Sequence, residues 1–252
     1  MEIQQLLKDI KQKKELSGIA DSLVLERILN YLEKNRVILN DLNPSQLKLV
    51  IKDIRAGLRE NVGRFKVGTR NRAKLLHEKD IDAILCTHSS TKERVSFYPQ
   101  LREIIKKINA SSILDLGCGI NPLALAQKGI KYYASDINQE DLDIVKRFFL
   151  DYDIDGETFV CDLNKIEECI LPKADLTLVL KVFDILGKND YKTAEKIIEK
   201  IQSKNLIISF STRTLSGKPM KNQRRIWLEK LLNSVSYKFE IVKSDNEIFY
   251  II

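Results

Sequence analysis

The sequence predicts an α/β fold in which a doubly wound parallel sheet follows a helical N-terminal region and ends in an antiparallel hairpin. Three observations predict it. Residues 1–87 carry apolar residues at helical spacing, from Leu6, Leu7 and Ile10 to Leu23, Leu25, Ile28, Leu29 and Leu32. From about residue 111, short apolar runs alternate with helical stretches, the signature of a parallel sheet. The last two β-rich runs, over 237–243 and 247–252, are joined by turn-forming polar residues and read as a hairpin closing the sheet edge.

Each element has a local reason. Asn43 and Pro44 read as the N-cap and first turn of a helix through Leu47, Val50, Ile51, Ile54 and Leu58. Gly63 and Gly68 bracket a basic break before a further helix. Strands are expected over 112–116, 131–135, 158–161, 176–180 and 205–210, with helices such as 139–150 and 191–201 between them. The reading divides the chain into a helical domain, 1–87, and an α/β domain, 88–252.

Composition narrows the class. Hydrophobic residues at 44% and charged residues at 31% suit a soluble globular protein of 252 residues. No run approaches the roughly 18 apolar residues of a membrane span, and residues 1–15 are too charged for a signal peptide. Cys86, Cys118, Cys161 and Cys169 have no paired spacing and are expected to be reduced, in a cytoplasmic protein. With His77 and His88 the only histidines and no C-x-x-C, no metal site is expected.

The net charge is +7 and its distribution points to a polyanion. From Lys52 to Lys79 there are nine basic residues against three acids, among them Lys52, Arg55, Arg59, Arg64, Lys66, Arg70 and Arg72. A second cluster, Arg213 to Lys230, has six basic residues against Glu229 alone and includes Lys218. One such cluster reads as a solvated face. Two of them beside a nucleotide-binding motif favour nucleic acid. Trp227 in the second cluster is either a stacking platform for a base or a core residue.

The motif is Ser112-Ile-Leu-Asp-Leu-Gly-Cys-Gly119. It reads as a buried strand breaking into a turn where Gly117 and Gly119 let a ligand approach bare backbone. Seventeen residues after Gly119, at the end of a second strand, comes Asp136, placed to grip a ribose diol. A dinucleotide fingerprint wants a third glycine where this chain has Pro122, so a nicotinamide dehydrogenase is disfavoured. The form D-x-G-x-G, beginning at Asp115, instead suits S-adenosylmethionine (SAM), and five parallel strands with a terminal hairpin suit a class I SAM-dependent, Rossmann-like methyltransferase.

Between the two regions lies His88-Ser-Ser-Thr-Lys-Glu-Arg94, followed by the glycine turn through Asn121-Pro-Leu-Ala-Leu125, then Leu180-Lys181, Ile208-Ser-Phe210 and Leu215-Ser-Gly-Lys218. Together these resemble the aminoglycoside-resistance 16S ribosomal RNA methyltransferase family. The resemblance covers most of the chain and implies methylation of N7 of a decoding-site guanine, with 16S rRNA in the 30S subunit as partner and a monomeric enzyme. It implies that Thr91 and Arg94 hold the cofactor's carboxylate, a guanidinium matching that planar group. It implies that His88 orients this segment, Asp136 accepts the ribose hydroxyls and Ile137 packs on adenine. Asp162 and Leu163 would contact the adenine amino edge, with Leu180 and Lys181 on the acceptor side. Read alone, Arg94 suits a salt bridge, His88 a packing role and Asp162 a helix cap.

Guanine N7 has a free lone pair and no proton, so its methylation needs orientation and water exclusion rather than a general base. The chain agrees: Leu180-Lys-Val-Phe183 stands where methylation of exocyclic amines uses N-P-P-[YF]. The target base is expected to be flipped out, with the basic helices on the phosphates. Two departures fall on the acceptor side, where Asp184 and Ser211 replace prolines of the family pattern. They keep open methylation of another RNA site, such as adenine N1 of the same helix or a tRNA, and a SAM-binding RNA-interaction protein without activity.

Overall fold

The computed structural model describes residues 2–61, 71–186, 191–214 and 216–252. The first three helices, α1 (Ile3–Lys11), α2 (Asp21–Lys34) and α3 (Pro44–Asn61), form a small bundle. Leu6, Leu7 and Ile10 of α1 meet Val24 and Ile28 of α2 and Val50, Ile54 and Leu58 of α3 in a core of their own. The four-residue spacing of Val50, Ile54 and Leu58 puts them on one face of α3. The start of that helix is a reciprocal cap: the Gln46 amide donates to Asn43 Oδ1 and the Asn43 amide donates to Gln46 Oε1, both at 2.9 Å.

Four helices lead from the bundle to the sheet: α4 (Arg72–His77), α5 (Ile81–Leu85), α6 (Ser89–Arg94) and α7 (Tyr98–Ile108). Asn71 and Asp80 cap the first two, accepting from the amides of Lys74 and Ala83. Helices this short have no core of their own. They bury Leu76, Ile84, Leu85, Tyr98, Leu101 and Ile105 together with sheet residues such as Ile113, Leu176 and Phe249. Their buried residues thus pack with the sheet, separately from the core that α1, α2 and α3 share.

Seven strands form one sheet: β1 (Ser112–Leu116), β2 (Lys131–Asp136), β3 (Gly156–Val160), β4 (Leu176–Leu180), β5 (Asn205–Ser211), β6 (Glu240–Lys243) and β7 (Glu247–Ile251). Their order is β3-β2-β1-β4-β5-β7-β6. The first five are parallel; β7 runs antiparallel between β5 and β6. Helices α8 (Pro122–Leu125), α9 (Gln139–Asp151), α10 (Tyr191–Lys200) and α11 (Ile226–Ser234) complete the layers. Alternate residues of one strand enter opposite layers: Ile113 packs with one core, Leu114 and Leu116 with the other. Strand order reverses between β1 and β4, which opens a crevice at their carboxyl ends. Among the described residues no helix is long and apolar enough to cross a membrane.

One expectation is corrected. Cys161 and Cys169 are bridged, with their Cα atoms 5.9 Å apart. Asp162 caps the intervening kinked 3-10 segment, Leu163–Glu168, by accepting from the Asn164 amide at 3.0 Å. That segment brings two cysteines eight residues apart back together, which linear spacing does not reveal. Cys86 and Cys118 are free. Alkylation of the unfolded, unreduced protein is expected to label two thiols, at Cys86 and Cys118. Mass spectrometry showing four labelled cysteines would overturn the bridge.

Candidate active site

The crevice at the β1/β4 switch holds a cavity of about 300 Å³. Its floor is the turn after β1. Gly117 and Gly119 have φ of +66° and +51°, where a side chain is strained. A Cβ on Gly117 would lie 2.8 Å from Val182 Cγ2, and one on Gly119 would lie 3.1 Å from His88 Nε2. The Gly119 amide donates to Asp136 Oδ2 at 2.8 Å, and the Asn138 amide donates to Asp136 Oδ1 at 2.9 Å. Asp136 thus clamps the glycine turn to the end of β2. Burial, helped by the Asp141 charge, pushes its carboxyl up to about 6.

His88, Asp136, Ile137, Asp162, Leu163, Leu180 and Lys181 all line this cavity. His88 is buried, and desolvation lowers its pKa to about 4, with nearby Arg72 and Arg94 adding to the shift, so the ring is neutral at pH 7. Its Nδ1 lies 3.0 Å from Ser90 Oγ. Asp162 both lines the cavity and caps its turn.

Lys181 sits at the far end, just beyond β4, with φ of 60°. Such backbone in a non-glycine residue is costly and gathers at functional sites. Its amide donates to the Ser209 carbonyl at 3.0 Å, which holds the conformation. Its buried ammonium lies 2.6 Å from Glu93 Oε2 and 3.6 Å from Glu247 Oε2.

Behind the cavity runs a continuous buried network. Arg94, 2% exposed, donates to Glu247 through Nε (3.1 Å to Oε2) and Nη2 (2.7 Å to Oε1) and to Asn121 Oδ1 through Nη1 (3.1 Å). Asn121 Oδ1 also accepts from the Tyr98 hydroxyl, and its Nδ2 donates to Asp115 Oδ2 at 2.8 Å. Tyr132 donates to that same carboxylate oxygen at 2.8 Å. Ser209 Oγ donates to Glu247. Asp115 is pushed up to about 6 by burial, against the hydrogen bonds from Asn121 and Tyr132. Its Oδ1 is buried without a partner.

Other expected site residues lie away from this cavity wall or have protein partners of their own. Thr91 does not line the cavity: its buried hydroxyl donates to the Leu85 and His88 carbonyls. Arg94 does not line it either, because Glu247 and Asn121 take all three guanidinium nitrogens. Asp115 lies behind the turn rather than on the wall. Arg72, expected on RNA, is buried in an ion pair with Asp141 and donates to Thr87 Oγ1 at 2.6 Å. Arg55 is half-buried and holds the Asp9 and Ile10 carbonyls. Trp227 stacks on Tyr191 with centroids 4.8 Å apart and meets Phe183 and Phe210 edge-on. Lys52, Arg59, Arg213 and Lys218 are exposed, with Arg59 paired to Glu15. Arg64, Lys66 and Arg70 lie outside the described residues.

The family model for ribosomal RNA methyltransferase (FmrO) matches residues 32–251. The chain belongs to this family. A 16S rRNA (guanine(1405)-N(7))-methyltransferase of Serratia marcescens is 30% identical over 163 residues, 62% of this chain and 63% of that one. A protein of the same description from Micromonospora rosea is 28% identical over 176 residues, 67% of this chain and 64% of that one. The matches thus span less than two thirds of either relative. The crystal structure of 16S rRNA methyltransferase RmtF in complex with S-adenosyl-L-homocysteine has the same fold, with a TM-score of 0.75 and 21% identity over 100% of this chain and 98% of that one.

Sequence reasoning about this FmrO-family chain missed Glu93, Glu247 and the cavity residues Lys14, Glu15, Gly18 and Ile19. Glu93 had a signal, lying inside the His88–Arg94 motif. Glu247 had none, being 153 residues from Arg94. The Asp184 and Ser211 departures turn out to be partners. The Ser211 amide, a donor that proline lacks, donates to Asp184 Oδ2 at 2.6 Å, and Arg225 Nη2 lies 3.1 Å from Asp184 Oδ1.

Glu247→Ala leaves Arg94 buried and unpaired, so it is expected to cost about 3–5 kcal/mol in urea unfolding. The double variant Arg94→Met/Glu247→Leu is expected to lose less than either single change, since no orphaned charge remains. A loss under 1 kcal/mol for Glu247→Ala would show that the bridge contributes little.

Proposed function

We propose that this protein transfers a methyl group from SAM to N7 of the decoding-site guanine of 16S rRNA. The reading places it in the cytoplasm, acting as a monomer on the assembled 30S subunit, with aminoglycoside resistance as the consequence. The observation that carries it is the cavity itself: a glycine turn clamped to an acidic residue at one end and a buried lysine in strained backbone at the other. Family membership and the 16S rRNA methyltransferase relatives support the same substrate.

The residues present suit the cofactor. Gly117 and Gly119 leave a cradle that a Cβ would fill, and Asp136 lies beside it on the cavity wall. Asp136 would take the ribose hydroxyls, Ile137 would pack on the adenine, and Asp162 and Leu163 would meet its amino edge. When bound, SAM supplies an electrophilic sulfonium methyl. The N7 lone pair needs no base, so the protein's work is orientation and exclusion of water. Leu180 and Val182 provide an apolar wall, and Glu93 and Glu247 hold the Lys181 ammonium at the acceptor end to meet a phosphate or the guanine. One observation favours a second reading. The Asp184–Ser211–Arg225 contacts stand on the acceptor side where the resemblance implies prolines, a difference that supports methylation of another RNA nucleotide.

Labelled SAM with purified 30S subunits is expected to label one nucleotide, cleavable as N7-methylguanine in the decoding site. No incorporation, with cofactor binding intact, would overturn the substrate and move the search to other RNAs. Lys181→Ala is expected to lower kcat by about 100-fold, the scale of a small misplacement of reacting groups. Its affinity for S-adenosylhomocysteine should stay within threefold, and a matching loss of affinity would refute an acceptor-side role.

The pH dependence follows from Asp136. Ionised, both of its oxygens accept, whereas protonation turns one into a donor and weakens its acceptance of the ribose hydroxyls; its pKa is raised to about 6. Affinity for S-adenosylhomocysteine is therefore full above that pH and falls as pH drops through it. Calorimetry at pH 5 and pH 8 checks this; Asp136→Asn should bind weakly at both. Equal wild-type affinity at the two values would remove Asp136 from the ribose.

A further inference from the structure

The helical bundle reaches the cavity through one short segment, which precedes residues 32–251, the stretch that the family model matches. We propose that residues 14–19, between α1 and α2, are a wall of the cofactor site and link cofactor occupancy to the placement of the bundle. The inference rests on the cofactor reading above.

The segment is fastened at both ends. On the sheet side, the Ala20 amide donates to the Ile137 carbonyl at 2.9 Å and the Glu140 amide to the Gly18 carbonyl at 3.4 Å. Ser17 Oγ donates to Glu140 Oε1 at 3.2 Å, and Ile19 forms an antiparallel bridge with Asn138. These are the residues that follow Asp136, so the segment is fixed to the loop that would hold ribose and adenine. Gly18 makes the approach possible. A Cβ there would fall 2.5 Å from Asn138 Oδ1, and that oxygen caps α9 by accepting from the Asp141 amide at 3.2 Å. The Asn138 side chain cannot move aside without losing the cap.

On the bundle side, Leu16 and Ile19 are buried among α1, α2 and α3. Glu15 accepts from Arg59 of α3 at 2.8 Å and 2.9 Å. A backbone hydrogen bond and this guanidinium hold the Glu15 carboxyl below the usual range. Lys14, Glu15, Gly18 and Ile19 then line the cavity together with Asp136 and Ile137. A ligand filling that space touches both bodies and favours the arrangement in which they meet. By linkage, RNA that stabilises this arrangement raises cofactor affinity by the same factor.

Hydrogen exchange on the full chain, with and without S-adenosylhomocysteine, tests the wall without any substitution. The ligand is expected to slow exchange across residues 14–20 as well as 136–140. Gly18→Ala is expected to weaken S-adenosylhomocysteine binding at least about tenfold, or about 1.4 kcal/mol. In wild type the ligand should also tighten 30S binding, an effect reduced in Gly18→Ala. Protection confined to 136–140, or wild-type affinity in a folded Gly18→Ala, overturns the inference and leaves the cofactor reading standing. Failure of the wild type to bind S-adenosylhomocysteine at all overturns both. Should Gly18→Ala not fold, the wild-type exchange pattern decides.

Discussion

The buried bridge between Arg94 and Glu247 is the constraint on which the rest of this structure depends. It joins helix α6, just before the sheet begins in sequence, to β7, the strand inserted beside β5 at the end of the chain. A charge pair this deep is costly to assemble and costlier to break, so it fixes both elements against the same point. Phe97 and Phe249 stack 4.5 Å apart along the same seam. From Glu247 the network runs outward to Lys181 and Ser209; from Arg94 it runs through Asn121 to Asp115, at the root of the glycine turn. The two ends of the cavity are therefore braced by one set of hydrogen bonds.

That bracing explains why the conspicuous cation of the His88–Arg94 motif is not on the cavity wall. A guanidinium with all its nitrogens engaged organises the site from behind, while the neighbouring residues of the motif do the facing. His88 packs over Gly119 and reaches the cavity, and Glu93 reaches Lys181. The acceptor side shows similar mutual dependence. Asp184, beyond β4, and Ser211, at the end of β5, are joined by a backbone hydrogen bond, and Arg225 contacts both, donating to the Asp184 carboxylate and to the Ser211 carbonyl.

Much of the fold was legible because local rules and global packing agree. Apolar runs of strand length marked all five parallel strands, with ends displaced by a residue or two. The third strand begins at Gly156 rather than 158, since its pairing with β2 starts opposite Tyr132, a register no local pattern carries. The cap at Asn43 and Pro44 appeared where expected because capping depends on three or four consecutive residues. Which body a short helix packs against follows no such local rule. Helices α4 and α5 look like the bundle helices in periodicity, and only the identity of what they bury assigns them to the sheet.

By itself the sequence determined the α/β class and the glycine turn, and it singled out Asp136, His88, Ile137, Asp162, Leu163, Leu180 and Lys181, all of which the fold places on one cavity. Each belongs to a short motif or the end of a strand, where backbone geometry follows from neighbours in the chain. Tertiary structure alone decided which charges face out and which are spent inside. Arg72, Arg94 and Arg55 look the same in sequence as Lys52 and Arg213, yet the first three are held by partners 69, 153 and 45 residues away. It also decided that Cys161 meets Cys169 and that residues 14–19 reach the cavity. The physical reason is the same throughout: a charged or reactive side chain takes its role from its partner, and partners distant in sequence meet only when the chain has folded.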